Sequence, residues 1–493
     1  MTSFEELRDS KLAKLQKIKD MGINPFPYRY QRTHMAKDIH TTFAHLENNQ
    51  NSGTKANVAG KVMSIRAFGK LAFLDLVDDS GKIQIQLKEG TTHEDAFKLF
   101  QCLDTGDFVG AEGEIIRTQR GEISVLADHL TFLSKSIAPM PDKWHGVSDI
   151  ETRYRQRYLD MVMNPATKMV FINKSKVLQG IRKVLEKHQF IEVETPILQP
   201  QYGGANARPF KTYYNAVEQD WFLSVAPELY LKRLIIGNME KVYTITKNFR
   251  NESMDRTHNP EFITMECYQA YADYNDMMDL TEEMFREACI LIHGKPEFEI
   301  NGIKIDLSKK WERLPMKAAI KRHANIDVDA LSDKQLIEIL EKEHIKMEGP
   351  KLRGLIIAEL FGHFAEKKLI QPTHVIDHPF ETTPLCKEHR TEKGFIERFE
   401  SFMNGWEISN AYSELNDPVR QRELLEKQAA EGRAGGEEMP VDEDFLLAME
   451  YGMPPTGGLG IGFDRWVMLL TGQYSIADVI PFPALRPKKE EKK

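Results

Sequence analysis

Residues 57 to 135 are written as short alternating runs, VAGKVMSIRAFG, LAFLDLVDDSG, KIQIQLKEG and DFVGAEGEIIRTQRGEISVLA, interrupted once by a helical piece, HEDAFKLFQCL. Period-two alternation over such short runs specifies half-buried strands. Asp79-Ser80-Gly81 and Gln119-Arg120-Gly121 supply turns between them. About five strands in roughly eighty residues, with one helical piece, fit a small barrel. The five-stranded OB type matches, and such barrels take oligonucleotides on the face of their second and third strands; an SH3-like or other small barrel is the structural alternative. Phe73 and Gln84 fall on the strands that face a ligand, with Arg66 and Glu122 nearby. Aromatic faces beside polar edges are what unstacked bases require, although any one of these residues alone is more often packing or surface.

The barrel accounts for only part of the 493 residues, and a chain this long divides into about two to four domains. Hydrophobic residues at 41% and charged residues at 28% exclude a disordered chain. No run is long and apolar enough to span a membrane, and MTSFEELRDSKLAKLQ carries charge where a signal peptide is apolar, so the expectation is a cytoplasmic protein. Cys102, Cys267, Cys289 and Cys386 form no CxxC pair, which argues against disulfides and structural zinc. The net charge of -8 does not advertise a nucleic-acid partner; residues 1–100, with 15 Lys/Arg against 12 Asp/Glu, hold what positive excess there is.

Phe4, Leu7, Leu12, Leu15 and Ile18 recur at helical intervals before NPFPY breaks the helix. Beyond the barrel, SIAPMPDKWHGVSDIETRYRQRYLDMVMNP resembles a linker, and TKMVFINKSKVLQGIRKVLEKHQ is a long helix running into the strand FIEVETPIL. The remainder mixes helices and strands without βαβ alternation, so the expected class is α+β, an antiparallel sheet flanked by helices. The expected boundaries are a helical extension at 1–55, the barrel at 56–140, a linker at 141–165, the larger domain at 166–486 with a helical insertion at about 322–370, and a frayed tail at 487–493.

Three stretches of the larger domain carry chemistry. In EFITMECYQAY, strand alternation puts Phe262, Thr264, Glu266 and Tyr268 on one face and Ile263, Met265 and Cys267 on the other. The preceding strand ends at Arg250, and the loop between holds Glu252, Arg256, His258 and Asn259. A solvated hairpin explains the charges equally well. In TGGLGIGFDRWVMLL, the GxGxG spacing and the missing βαβ unit rule out a dinucleotide fingerprint. A Gly-rich strand entering a helix at Asp464 and Arg465 still suits phosphate, the alternative being tight strand-to-helix packing. In RFESFMNGWEISNAYSELND, Asn404-Gly405 marks a hairpin turn, and Glu400, Glu407 and Glu414 recur among Phe399, Phe402, Trp406 and Ile408. Buried carboxylates imply a cation, and hard oxygen ligands suit Mg²⁺ bridged to substrate phosphates; an exposed acidic strand is the alternative.

Together FRNES…RTHNPEF, GLGIGFDR and the helix ending in FIEVETPIL resemble motifs 2, 3 and 1 of the class II aminoacyl-tRNA synthetases. The N-terminal OB-type domain places the resemblance in subclass IIb. GGANARPF, APELYLKRL and NAYSELNDP are similar to the lysyl-tRNA synthetases, with Thr383 where a serine is expected and His378 where a tyrosine is.

The resemblance implies an ATP-dependent lysine–tRNA ligase, which forms lysyl-adenylate and passes the lysyl group to tRNA(Lys), with Mg²⁺ as cofactor and a homodimer as its assembly. It implies Arg250 on the α-phosphate and the lysine carboxylate, Phe262 stacked on adenine, Arg465 near the γ-phosphate, and Glu252, His258 and Asn259 helping to hold ATP. It implies Glu400 and Glu407 on the metal, Gly204 and Glu228 at the lysine α-amino group, Asn410 at its carboxylate, and Glu414, Glu266 and Tyr268 at its ε-ammonium. Arg66, Phe73, Gln84 and Glu122 are expected at the anticodon. An aspartyl or asparaginyl enzyme needs a cation where Glu266 and Glu414 offer negative charge. A catalytically dead relative does not account for an intact set of Arg250, Glu400, Glu407 and Arg465.

Overall fold

The computed structural model describes residues 3–141, 149–347, 349–434 and 441–487. The rest of the expected linker, 142–148, and of the expected frayed tail, 488–493, lies outside the described residues. The chain forms two compact units, Met1–Gly146 and Val147–Lys493.

In the first unit five strands close into a ring. Asn51–Phe68 pairs with Leu71–Val77, then Lys82–Lys88, then Ile123–Ser134, then Phe108–Arg117, which returns to the first strand. Lys82–Lys88 and Ile123–Ser134 run parallel and the other neighbours antiparallel. Alternation sends Val58, Val62, Leu74, Leu76, Ile85, Val109 and Val125 inward. The helix Phe4–Asp20, started by a Ser3–Glu6 capping box, contributes Ile18 to that same core, and Ala36–Thr42 contributes Ile39. Lys135 is fully buried between Asp104 (2.6 Å) and Asp107 (2.8 Å), so its charge is paired on both sides.

The second unit is α+β, as the irregular mixture of helices and strands predicts. Its eight-stranded sheet runs in the order Glu312–Pro315, Thr373–Pro379, Phe395–Met403, Trp406–Ser413, Thr456–Gly462, Glu261–Ala270, Lys241–Phe249 and Ile191–Glu192. Only the two outermost pairings are parallel. The helices Pro165–Lys187, Tyr274–His293 and Phe463–Thr471 cover one face, where Met265, Cys267, Phe399, Ala411, Leu459 and Ile461 meet Phe285 and Trp466. Asn404 and Gly405 both have positive φ (55° and 71°), which a two-residue hairpin between Phe395–Met403 and Trp406–Ser413 requires.

The helices Met316–Ala324, Asp333–Lys342 and Arg353–Phe364 build a satellite core around Ile320, Leu336, Ile356 and Leu360. Helical structure there begins at Met316, ahead of the expected start of the insertion at about 322. Ahead of the long helix, Ile150–Arg155 and Arg157–Met163 are short helices. Arg157 is buried against Asp160 (2.9 Å) and the Ala477 carbonyl (2.8 Å), so this part of the expected linker is anchored.

Candidate active site

The sheet face opposite the helices forms the floor of a cavity of about 500 Å³. Strand alternation does the sorting. Met265 and Cys267 enter the core, while Phe262, Thr264, Glu266 and Tyr268 line the cavity. All of the larger domain's nucleotide and lysine candidates border this one space: Gly204, Glu228, Arg250, Glu252, His258, Asn259, Phe262, Glu266, Tyr268, Asn410, Glu414 and Arg465, with Glu407 among them. Glu400 is not in the wall itself but pairs in register with Asn410 across the neighbouring strand.

Arginines and carboxylates divide the cavity. The Arg250 guanidinium lies 5.1 Å from the centre of the Phe262 ring, and its Nε is buried with no hydrogen-bond partner among the described residues. Burial depresses its pKa, against the pull of Glu252, Glu266 and Glu407. Arg465 donates to the Glu407 carbonyl (2.8 Å) and carboxylate (3.2 Å). Burial and the neighbouring Glu400 raise the Glu407 pKa, against Arg465 and Arg398. Two carboxylates on adjacent strands fit a hard divalent cation that keeps waters and shares substrate phosphates. Among the described residues no group of three or more His, Cys, Asp or Glu could hold an ion alone.

His258 and Asn259 sit in the loop before Glu261–Ala270. The His258 ring meets Asp255 at 2.9 Å, and Asn259 donates to the Glu261 carbonyl at 2.5 Å.

At the far end three carboxylates converge. Glu266 and Glu414 are buried, and Glu228 opens the helix Glu228–Ile236 with 6% of its surface exposed. Burial, reinforced by Glu228 and Glu414 against Arg250, pushes Glu266 up to about 8. Burial also pushes Glu414 up to about 8, with Lys232 opposing. Tyr268 donates to Glu266 at 3.4 Å. Gly204, at φ +84°, has the Glu228 and Ala226 Cβ atoms 3.2 and 3.3 Å from where its own Cβ would be, so only glycine fits easily.

Two residues of this site escape the sequence reading. Lys232 is fully buried, with its Nζ 2.6 Å from both Glu228 and Glu414. Its spacing of four from Glu228 in ELYLKRL was a usable signal for that pair; the contact with Glu414, 182 positions further along, was not. Arg398 donates to Glu400 and, at 3.1 Å, to Asn410 Oδ1. It stands two residues before Glu400, on the same strand face. The two departures from the family pattern fall close by: Thr383 lines the cavity, and burial with Arg398 holds His378 neutral.

In the first unit Arg66, Phe73 and Gln84 lie on successive strands, and Glu122 immediately precedes the strand Ile123–Ser134. Arg66 stands 5.9 Å from the Phe73 ring centre and pairs with Asp75 at 3.0 Å. Gln84, opposite Asp75 in register, accepts from Ser124 at 3.0 Å, and Glu122 meets Lys82 at 3.4 Å. Phe68, missed in the sequence, is 65% exposed and sits edge-on to Phe73 at 6.4 Å.

Comparison with known proteins bears on both units. Residues 149–486 match the family model of tRNA synthetases class II (D, K and N), and residues 56–133 that of the OB-fold nucleic acid binding domain. The chain is 46% identical over 481 residues to lysine–tRNA ligase 2 of Methanosarcina acetivorans, covering 97% of this chain and 94% of the relative. It is 46% identical over 492 residues to the lysine–tRNA ligase of Syntrophomonas wolfei, covering 99% of each. With the lysine–tRNA ligase of Nostoc sp. identity is 45% over 497 residues, 99% of this chain and 89% of the relative.

Proposed function

The chain belongs to the class II tRNA synthetases, among the lysine–tRNA ligases, and from that premise we propose that it activates L-lysine with ATP and transfers the lysyl group to tRNA(Lys). The observation that carries the reading is the grouping of charge in the cavity: Arg250 and Arg465 near each other beside Phe262, and Glu228, Glu266 and Glu414 clustered together. An amino acid with a carboxylate at one end and ammonium groups beyond it spans those charges in a single orientation.

Activation is an in-line displacement. A lysine carboxylate oxygen bonds to the α-phosphorus as the bond to the pyrophosphate oxygen breaks, so positioning and charge neutralisation do most of the work. Arg250 holds the carboxylate and the α-phosphate together and draws charge from the crowded phosphorus. Phe262 offers a face for adenine, Arg465 a fork for the γ-phosphate, and Glu252, His258 and Asn259 hold the nucleotide from the loop. Glu400 and Glu407 are the residues that hold Mg²⁺, whose charge, when bound, favours departure of pyrophosphate. In transfer, the terminal ribose hydroxyl of tRNA bonds to the lysyl carbonyl carbon and AMP departs.

Selection is electrostatic. Gly204 and Glu228 receive the α-amino group, Asn410 the carboxylate end, and Glu266, Tyr268 and Glu414 the ε-ammonium. A neutral side chain leaves buried carboxylates unpaired, a penalty that supports rejection by roughly 10⁴- to 10⁵-fold. Arg66, Phe73, Gln84 and Glu122 read the anticodon on the barrel. A cytoplasmic homodimer completes the reading; among the described residues no helix is long and apolar enough to cross a membrane.

The test is exchange of pyrophosphate into ATP. Lysine stimulates it strongly and aspartate does not; stimulation by aspartate, or none by lysine, overturns the assignment.

A further inference from the structure

Lys232 lies behind the wall at the lysine end of the cavity, where it shares the lining carboxylates Glu228 and Glu414 with any ligand ammonium. It is fully buried, and its Nζ is 2.6 Å from Glu228 and 2.6 Å from Glu414. Burial alone works against its charge, but the two carboxylates outweigh it and hold the ammonium form. Glu414 lines the cavity, and its Oε1, buried beside Gly458, has no hydrogen-bond partner among the described residues, so the carboxylate is not fully satisfied by the protein.

The charges can be counted. Glu228 from the helix Glu228–Ile236, Glu266 from the strand Glu261–Ala270, and Glu414 just beyond Trp406–Ser413 supply three negative charges. Tyr268, Tyr412 and Cys386, which face the same carboxylates, have pKa values raised by burial and stay neutral. Arg398 is committed to Glu400 and Asn410, and Arg250 faces the nucleotide end. In the occupied pocket, where ligand ammoniums hold all three carboxylates ionised, Lys232 therefore cancels one charge of three and leaves two. A diamino acid brings two ammonium groups, and its carboxylate goes to Arg250.

We propose that Lys232 is a specificity-determining residue, a resident ammonium that sets the cavity's unmet charge at two and so matches it to a diamino acid. The proposal rests on the lysine-activating reading and adds to it the reason for the number of carboxylates. With no fixed cation, three buried carboxylates and two ligand ammoniums do not balance, and one carboxyl must take up a proton and lose its pull on the ligand. With one carboxylate removed and Lys232 kept, the imbalance has the opposite sign.

The test is a double-mutant cycle on the full-length enzyme, reading the lysine and ATP KM values and kcat of pyrophosphate exchange. Lys232→Met raises the lysine KM by about 10- to 100-fold with little change in the ATP KM. Glu228→Gln also raises it. Glu228→Gln/Lys232→Met, which again balances two carboxylates against two ammoniums, has a lower lysine KM than either single variant. A purely structural ion pair couples in thermal stability without restoring the lysine KM, so a double variant whose lysine KM exceeds that of both singles, whatever its melting temperature, overturns the proposal. Should Lys232→Met fail to fold, the double variant against Glu228→Gln alone decides by the same criterion. Wild-type exchange that ignores lysine overturns the functional reading and this inference with it; normal wild-type exchange with a double variant worse in lysine KM than both singles overturns this inference only.

Discussion

Gly458 and Glu414 lie so close that a Cβ on the glycine would stand 1.9 Å from Glu414 Oε1 and 2.6 Å from the Tyr268 ring. Gly458 is paired with Tyr268 on one side and Tyr412 on the other, in the middle of the sheet, so its backbone cannot withdraw. The glycine exists to admit a carboxylate and a phenol from neighbouring strands. Gly458→Ala must expel Glu414 from its place beside Lys232. The expected result is a lysine KM raised by the equivalent of about 2–5 kcal/mol, the cost of disrupting a buried charge pair. Overpacking adds about 1–3 kcal/mol of lost stability. Kinetics and thermal melts separate the two, and an unchanged lysine KM contradicts the geometry.

Lysine binding is coupled to protons. Glu266 and Glu414 are both pushed up to about 8 by burial, so near neutral pH the empty pocket holds protons on its acids. A ligand ammonium favours the ionised forms, so binding releases protons and affinity climbs as pH rises from about 6 through about 8. In the empty enzyme these groups bind protons more tightly folded than unfolded. Their contribution to stability is therefore lost as pH rises from the usual carboxylate range toward about 8. Saturating lysine reverses that loss, so it raises the melting temperature more at about pH 8 than at about pH 6. A shift that shrinks with rising pH contradicts the assignment.

Phe262 has its test in the nucleotide. Its ring lines the cavity with the Arg250 guanidinium 5.1 Å from its centre. Base–aromatic stacking is worth about 1–3 kcal/mol, so Phe262→Ala raises the ATP KM by about 10- to 100-fold. The lysine KM changes far less. Equal effects on both substrates contradict a stacking role.

Much of this site is legible because strands alternate. EFITMECYQAY alone assigns Glu266 and Tyr268 to one face and Met265 and Cys267 to the other, and the core confirms the second pair. The Asn404-Gly405 turn and the Gly-rich strand entering a helix at Phe463 are equally local signals. The Lys232–Glu414 and Gly458–Glu414 contacts are not, because each joins elements that only the strand order brings together. Ile18 and Ile39 illustrate the same limit: an amphipathic pattern declares an apolar face but not that it enters the barrel core.

On the barrel, Phe73 and Arg66 share one cation–π contact, with Gln84 a strand away. The residues proposed for adenylate formation all belong to the other unit. Phe73→Ala weakens aminoacylation of tRNA(Lys) by the equivalent of about 1–3 kcal/mol of lost stacking and leaves lysine-dependent exchange unchanged. Loss of both activities removes the division of labour. Phe68→Ala in the same assay measures what the exposed ring beside Phe73 adds.

Arg398 joins two tasks that the sequence lists separately. Its guanidinium reaches Glu400 with one nitrogen and Asn410 with another, which a planar fork can do and a lysine ammonium cannot do in the same geometry. Asn410 is further fixed by donating to Tyr412 at 3.1 Å. Removing the fork frees the half-buried Glu400 carboxylate from its cation and lets Asn410 turn. Arg398→Lys is therefore expected to raise the lysine KM and the Mg²⁺ concentration needed for half-maximal exchange together, each by the equivalent of about 1.5–3 kcal/mol for a lost charge-assisted hydrogen bond. The ATP KM at saturating Mg²⁺ moves little, because Arg250, Phe262 and Arg465 keep their places. A titration in which Mg²⁺ dependence shifts while the lysine KM stays put would show that Asn410 is held by Tyr412 alone.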